Sequence, residues 1–268
     1  FAATRTEQAS LLRLGRVVMY LLEAASNPAL LPVGSSGADA ISLRHPPLDI
    51  PAGSRLADLV MTYGEYETPR KFIELAAILE RNAQEGRKTL VWSNFVRNLE
   101  LLAHETLAAL KPALIHGGVP FESDIGPSRT REIARFRSDT DCWALLANPA
   151  ALGEGISLHD VCHDAVYLDR TFNAGQYLQS LDRIHRLGLG PGVVTHITLL
   201  MTCGTIDEVV DGRVAEKVRA LERLLSDSHL SEMSLPDDED YGPPIDLVRG
   251  DVEALLGHLR GDAWSRRP

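Results

Sequence analysis

WALLANPAALGEGISLHDVCHDAVYLDRTFNAGQYLQSLDRIHRLG, Trp143 to Gly188, is the stretch whose reading decides the fold. A short apolar run, Trp143 to Ala147, drops into a small-residue turn that ends Gly153-Glu154-Gly155. A second apolar run, Ala165 to Leu168, follows it. Then comes a segment of helical spacing carrying Gln179, Asp182, Arg183, His185 and Arg186. Gln179, Arg183 and Arg186 recur at four and then three residues, which predicts that they share one helical face. Two guanidinium groups and an amide on one face suit a planar anion such as phosphate. Leu181, Ile184 and Leu187 set the same helix against a core, whereas a merely solvated pair of arginines is the plainer alternative.

Working outward, the alternation continues on both sides. Thr89 to Ser93 (TLVWS) is a buried-strand pattern, and Asn94 is placed to cap a helix running to Leu110. Ala113 to His116 is a short strand leading into Gly117-Gly118, and Arg129 to Arg137 a helix with an arginine-rich face. Asn173 and Gln176 have capping-box spacing, as do Thr205 and Glu208 before a helix to about Leu225. Val193 to Leu200 is the last strand. Strands alternating with helices imply a mainly parallel sheet covered on both faces. Ligands in such sheets gather at the carboxyl ends of the strands, where the turns after Ser93, His116, Ala147 and Leu168 all lie. Upstream, Glu7 to Ala25 reads as a helix stopped at Asn27-Pro28, and Thr68-Pro69 as the start of another. Downstream, a helix over Leu247 to Leu259 closes the chain.

Gly153-Glu154-Gly155 is not a dinucleotide fingerprint, because Leu158 stands where the third glycine belongs. It reads as a turn at which backbone amides approach a phosphate or a neighbouring strand. His116-Gly117-Gly118 is either a plain turn or a nucleic-acid phosphate contact. Arg131 and Arg135 read as a solvated face, Trp92 and Trp143 as core. His185 has no Ser or Cys nucleophile arranged with it, which argues against a general-base role.

Composition sets the outer bounds. The 268 residues are 44% hydrophobic and 24% charged, ample for one globular core, and no apolar run reaches the ~20 residues of a membrane span. A net charge of −10 argues against nucleic acid at face value. Seven of the 37 acids, however, fall between Leu224 and Val248 with no Lys or Arg among them; the remaining 30 nearly balance 27 bases. That acidic stretch reads as loosely packed or disordered. Three widely spaced cysteines suit a reducing, intracellular setting and buried structural thiols. No His or Cys spacing predicts a structural metal site. Beginning at Phe1, the chain reads as part of something longer.

At these residues the sequence resembles the second RecA-like lobe of the Swi/Snf-type ATPases, in helicase superfamily two, from about Lys71 to Leu225. LVWSNF (Leu90 to Phe95) resembles that family's motif IV strand. IHGGV (Ile115 to Val119) resembles its Asp-Gly-Ser turn, and TREIARF (Thr130 to Phe136) the helix beyond. NPAALGEGISL (Asn148 to Leu158) resembles motif V, and FNAGQYLQSLDRIHRLG (Phe172 to Gly188) motif VI with the stretch before it. Pro149 stands where the family usually has Thr, Ser157 for Asn, Leu189 for Gln and Asn94 for Gln.

The resemblance implies an α/β fold: a RecA-like parallel sheet with helices on both faces, plus an N-terminal helical segment and a C-terminal helical tail. The implied divisions are 1–62, 63–226 and an acidic linker with a final helix at 227–268. It implies arginine fingers at Arg183 and Arg186, with Gln179, Gly153, Glu154 and Gly155 at the nucleotide. Ser93, Asn94, His116, Gly117 and Asn148 would face nucleic acid. The cofactors implied are ATP and Mg2+, held mainly by a first lobe; the partners are that lobe and DNA, probably duplex, with no membrane. No GxxxxGK[ST] or Asp-Glu-x-His occurs in this chain, so ATP hydrolysis by this lobe alone is not expected. The rival reading is a degenerate lobe that serves as a nucleic-acid or protein binding module. A Rossmann-like oxidoreductase lacks its glycine fingerprint.

Overall fold

Strands without polar alternation need apolar cover on both sides, and this sheet receives it. In the computed structural model, which describes residues 5–31, 51, 53–123, 125–152, 156–185, 193–225 and 247–261, five strands form one sheet. They are β1 (Thr89–Trp92), β2 (Ala113–Ile115), β3 (Ala144–Ala147), β4 (Asp164–Tyr167) and β5 (His196–Leu199). All pairs are parallel, in the order β2-β3-β1-β4-β5. Every residue of β1, β3 and β4 is buried, while the edge strand β5 is only half covered.

Alternate side chains of these strands feed two cores. Val91, Ala144, Leu146 and Val166 pack against α4 (Arg70–Gln84) and α5 (Val96–Leu101) through Phe72, Leu75, Leu79 and Leu99. On the opposite face Leu90, Trp92, Leu145 and Tyr167 meet Phe136 of α6 (Arg129–Ser138), and Tyr177 and Leu181 of α7 (Ala174–Leu181). A third core forms around Phe95 and Phe172, just past the ends of β1 and β4. There α1 (Arg5–Ser26), α8 (Ile206–Leu225) and α9 (Arg249–Leu259) contribute Val18, Leu22, Ile206, Val210, Val214 and Leu255. Before α4 lie two short helices, α2 (Arg55–Met61) and α3 (Tyr63–Tyr66).

Two buried carboxylates fasten this third core. Asp251 of α9 accepts from Arg213 Nε at 2.8 Å and Lys217 Nζ at 2.7 Å, and its Oδ2 also accepts the backbone N–H of Val248 at 3.1 Å. Gly250 permits the approach, because a Cβ there would lie 2.6 Å from Arg213 Nη2. Asp207 of α8 pairs with Lys71 of α4 at 2.7 Å, with both side chains only 6% exposed. The same ammonium donates to the Leu168 carbonyl at 2.9 Å.

The alternating α/β order is as expected, and several local expectations are corrected. Asn94 does not cap the following helix: Phe95 occupies the cap position without a side-chain bond, and α5 ends at Leu101. The chain then widens into a π turn over Leu102–Thr106 and a tight 3-10 turn over Ala108–Leu110. Arg135 is not simply solvated, since it donates to the carbonyls of Lys111 and Pro112 at 2.7 Å each. Arg131 is exposed, as expected, and donates to Gly126 O at 2.7 Å. Trp143 is half-buried rather than core. Cys142 and Cys162 are buried, with burial pushing the Cys162 thiol up to about 12, but Cys203 is exposed. The acidic stretch lies outside the described residues, apart from its two ends. Among the described residues, no helix is long and apolar enough to cross a membrane.

Removing one partner of a buried ion pair leaves the other charge uncompensated, at a cost of about 3–5 kcal/mol. Lys71→Met is therefore expected to lower the free energy of unfolding in urea by about that amount. The double variant Lys71→Met/Asp207→Leu is expected to recover most of the loss. A single-variant loss under about 1 kcal/mol, the scale of an exposed pair, would mean that the pair is effectively solvated.

Candidate nucleotide and nucleic-acid sites

Four strands exit side by side at the carboxyl edge, and their first residues beyond the sheet are His116 (after β2), Asn148 (after β3), Ser93-Asn94 (after β1) and Leu168-Asp169 (after β4). β1 lies between β3 and β4, so its exit turn touches both neighbours. Asn148 Nδ2 donates to the carbonyls of Ser93 at 3.2 Å and Asn94 at 3.0 Å. Its Oδ1 accepts from the Ala150 N–H at 3.0 Å, which bends the chain after β3.

On the other side, Asp169 is buried and accepts four donors. Ser93 Oγ lies at 2.5 Å and Ser26 Oγ, from the end of α1, at 3.3 Å. The Asn94 N–H lies at 2.7 Å and Asn94 Nδ2 at 3.2 Å. A carboxylate has about four lone-pair sites, so its capacity is filled. Burial pushes the Asp169 pKa up, and the Ser93 and Asn94 hydrogen bonds and nearby Lys71 oppose that shift. The network continues: Ser26 Oγ accepts from Asn98 Nδ2 at 2.9 Å, and Asn98 Oδ1 from Asn27 Nδ2 at 3.0 Å. Thr202 Oγ1 donates to the Ala25 carbonyl at 2.8 Å, fixing the end of α1 a second time.

The proposed nucleic-acid residues thus divide. Ser93 is fully buried and its hydroxyl is engaged by Asp169. The amide groups of Asn94 and Asn148 donate inward, so these three form the floor of the edge. His116 and Gly117 form its rim. Gly117 is exposed, and His116 Nδ1 accepts from the Gly118 N–H at 3.1 Å while its Nε2 lies 3.7 Å from Glu100 Oε1. A Cβ on Gly118 would come within 3.0 Å of that imidazole. Arg97, in the first turn of α5, is an exposed cation close in sequence to the floor.

Arg183 stands elsewhere. α7 opens as expected, with Asn173 Oδ1 accepting from the Gln176 N–H at 2.9 Å, but it ends at Leu181. The N–H groups of Arg183 and Ile184 bond back only three residues, so Gln179 and Arg183 do not share a continuous helical face. Tertiary contacts override the spacing. Ile184 is fully buried in the α6–α7 core, and the Arg183 carbonyl accepts from the Leu158 N–H at 2.7 Å. Arg183 Nη1 lies 3.4 Å from the Ile156 carbonyl. Leu158 leads through the Cys162 N–H to the entrance of β4, where Cys162 Sγ lies 3.3 Å from Lys88 O. Arg183 therefore sits by the amino half of the sheet, apart from the Asn94–Asn148 edge. The candidate residues therefore do not all gather at the carboxyl edge but lie in two separate regions. Gln179 is exposed on α7, and exposed His185 pairs with Thr195 Oγ1 at 3.4 Å. Arg186, Gly153, Glu154 and Gly155 lie outside the described residues.

Asp169, Lys71, Ser26 and Asn98 escaped the reading of the sequence. A signal existed for Asp169, an acid that ends the apolar run Ala165 to Leu168, but nothing local indicates that its partners come from α1 and β1. Among the described residues no group of three His, Cys, Asp or Glu side chains is arranged to hold a metal ion.

Residues 70–188 match the family described as helicase conserved C-terminal domain. The fold is shared with the solved C-terminal part of the Fun30 ATPase domain, at a TM-score of 0.52 and 20% identity over 78% of this chain and 61% of that one. The Homo sapiens lymphoid-specific helicase is 28% identical over 156 residues, 58% of this chain and 18% of that protein. The Danio rerio chromodomain-helicase-DNA-binding protein 1-like is 25% identical over 259 residues, 95% of this chain. The chain spans only 18% and 22% of the length of these two relatives. Fold and likeness together make this a RecA-like lobe similar to helicase C-terminal domains, the match running over residues 70–188, under half of the chain.

A buried acid whose folded pKa is raised binds protons more tightly in the native state than in the unfolded one. Its presence makes stability fall as pH rises from the unfolded value, about 4, through the raised folded value. Asp169→Asn removes that titration. The melting temperature of the variant relative to the parent is therefore expected to climb between pH 4 and pH 7. A difference that stays flat across this range would show that Asp169 titrates as an ordinary carboxyl.

Proposed function

We propose that this lobe completes an ATP site shared with a first helicase lobe and supplies part of the nucleic-acid path of a duplex-DNA-dependent ATPase, a translocase or remodeller. Arg183 is the arginine finger, and Arg186 is the second one that the family pattern implies. A guanidinium aimed at the transferring phosphoryl group stabilises transition-state charge and contributes on the order of 10³–10⁵ in rate. The observation that carries this reading is the anchoring of Arg183 against the chain at Ile156 and Leu158, which joins the motif VI segment to the motif V segment. A half-buried guanidinium held in place by backbone contacts fits a phosphate in kind. Gln179, Gly153, Glu154 and Gly155 complete the nucleotide side of this proposal. Mg2+ belongs mainly to the first lobe.

Nucleic acid is assigned to the carboxyl edge. There the Asn94 and Asn148 turns, with Ser93 beneath them, support the exposed rim of His116 and Gly117. The name of the Danio rerio relative includes DNA binding, in keeping with this assignment. Alone, the lobe is expected to be inactive, since its sequence contains no phosphate loop.

In a polypeptide carrying both lobes, Arg183→Ala is expected to reduce DNA-stimulated ATP hydrolysis by at least about 10³-fold while leaving the melting temperature within a few degrees. Full activity in that variant would remove the arginine-finger assignment. The binding-module alternative predicts duplex binding with no hydrolysis even when both lobes are present.

A further inference from the structure

We propose that Asp169 is the positioning residue of the nucleic-acid edge, holding the β1 exit turn in place and tying that place to the end of α1. This rests on the reading of the carboxyl edge given above, and it assigns that edge a control point in the helix preceding the lobe. Asp169 contacts no ligand under this proposal, because its four acceptor sites are already filled from within the chain.

The argument is one of connectivity and of the penalty for a buried charge. A carboxylate withdrawn from water is tolerated only with its hydrogen bonds in place. Those bonds come from two segments far apart in sequence: Ser26 on α1, and Ser93-Asn94 at the end of β1. If either segment shifts, the carboxylate loses donors that water cannot replace at a fully buried site, so α1, β1 and β4 move as one or not at all. The constraint extends one strand further, because the Ser93 and Asn94 carbonyls fixed by this network are the acceptors for Asn148 Nδ2. A path of direct hydrogen bonds therefore runs from Ser26 through Asp169 and Asn94 to Asn148. It crosses the exits of β4, β1 and β3 in the order in which those strands lie in the sheet. The start of the path is itself braced, by Asn98 on Ser26 and by Thr202 on the Ala25 carbonyl. Displacement of α1 thus reaches the edge proposed to meet DNA, while Arg183, anchored by Leu158, lies off the path.

The test uses a polypeptide with both lobes and a fluorescently labelled DNA duplex. Duplex affinity is read by anisotropy, and ATP hydrolysis is followed with and without duplex. Asp169→Ala is expected to raise both the dissociation constant and the duplex concentration for half-maximal stimulation by about ten-fold, with basal hydrolysis within about two-fold of the parent. Asp169→Asn keeps an acceptor for the Asn94 N–H and is expected to recover to within about three-fold. Ser26→Ala removes one donor from α1 and leaves the carboxylate, with an expected rise of about three-fold. A merely structural role would lower basal and stimulated rates together and leave the half-point unchanged. That result, or parental affinity in Asp169→Ala, overturns the proposal. If Asp169→Ala does not fold, Ser26→Ala decides: an unchanged half-point and dissociation constant overturn it. A parent protein that binds no duplex overturns both this proposal and the assignment of the carboxyl edge to DNA. A parent that binds duplex with variants that bind equally well overturns this proposal alone.

Discussion

A buried carboxylate is an expensive object in a protein interior, and the lobe is arranged around satisfying one. Asp169 emerges from β4 into a buried site and takes donors from the two neighbouring segments that can reach it. Its near neighbour Lys71 is committed in turn to Asp207 and the Leu168 carbonyl. The result is a polar seam between two apolar regions: the sheet core, and the helical core of α1, α8 and α9. Apolar contacts hold these regions together without fixing their register, being non-directional. The seam supplies direction, because each hydrogen bond has a narrow range of geometry.

That division bears on how one lobe would serve the two sites proposed for it. The edge proposed for nucleic acid is built from strand exits whose side chains bond to one another, so its shape belongs to the sheet. The arginine proposed for phosphate chemistry is anchored through Leu158 to the far end of the same sheet. Its guanidinium is held against a backbone carbonyl that does not belong to the edge. Two regions proposed to bind ligands at opposite ends of rigid strands can be coupled by motion of the whole lobe, without any rearrangement within it.

The alternation of strands and helices was legible in the sequence, because the runs Leu90 to Trp92, Ala144 to Ala147 and Ala165 to Leu168 are apolar and α7 carries its cap at Asn173. Periodicity failed at the end of α7. The spacing of Gln179 and Arg183 is helical, but burial of Ile184 and the Leu158 hydrogen bond close the helix two residues before the arginine. It failed again at Asn94, where a side chain of the right type for a helix cap is claimed by Asp169, 75 residues away in sequence. The arginines of α6 carry a related lesson. Arg131 and Arg135 are spaced as a solvated face, yet Arg135 donates to the carbonyls of Lys111 and Pro112, and Arg129 beside them to those of Val119 and Ala151. Local rules identify which residues can cap or pair; long-range partners decide which of them do.

The central claim is that one lobe presents two separate binding regions, and hydrogen exchange on a polypeptide carrying both helicase lobes tests it most directly. Duplex DNA alone is expected to slow exchange at 93–97, 116–118 and 148–152. A non-hydrolysable nucleotide alone is expected to slow exchange at 156–158 and 183–185, with little change at the first set. Protection of the amino edge by DNA, or of both sets equally by either ligand, would contradict the account.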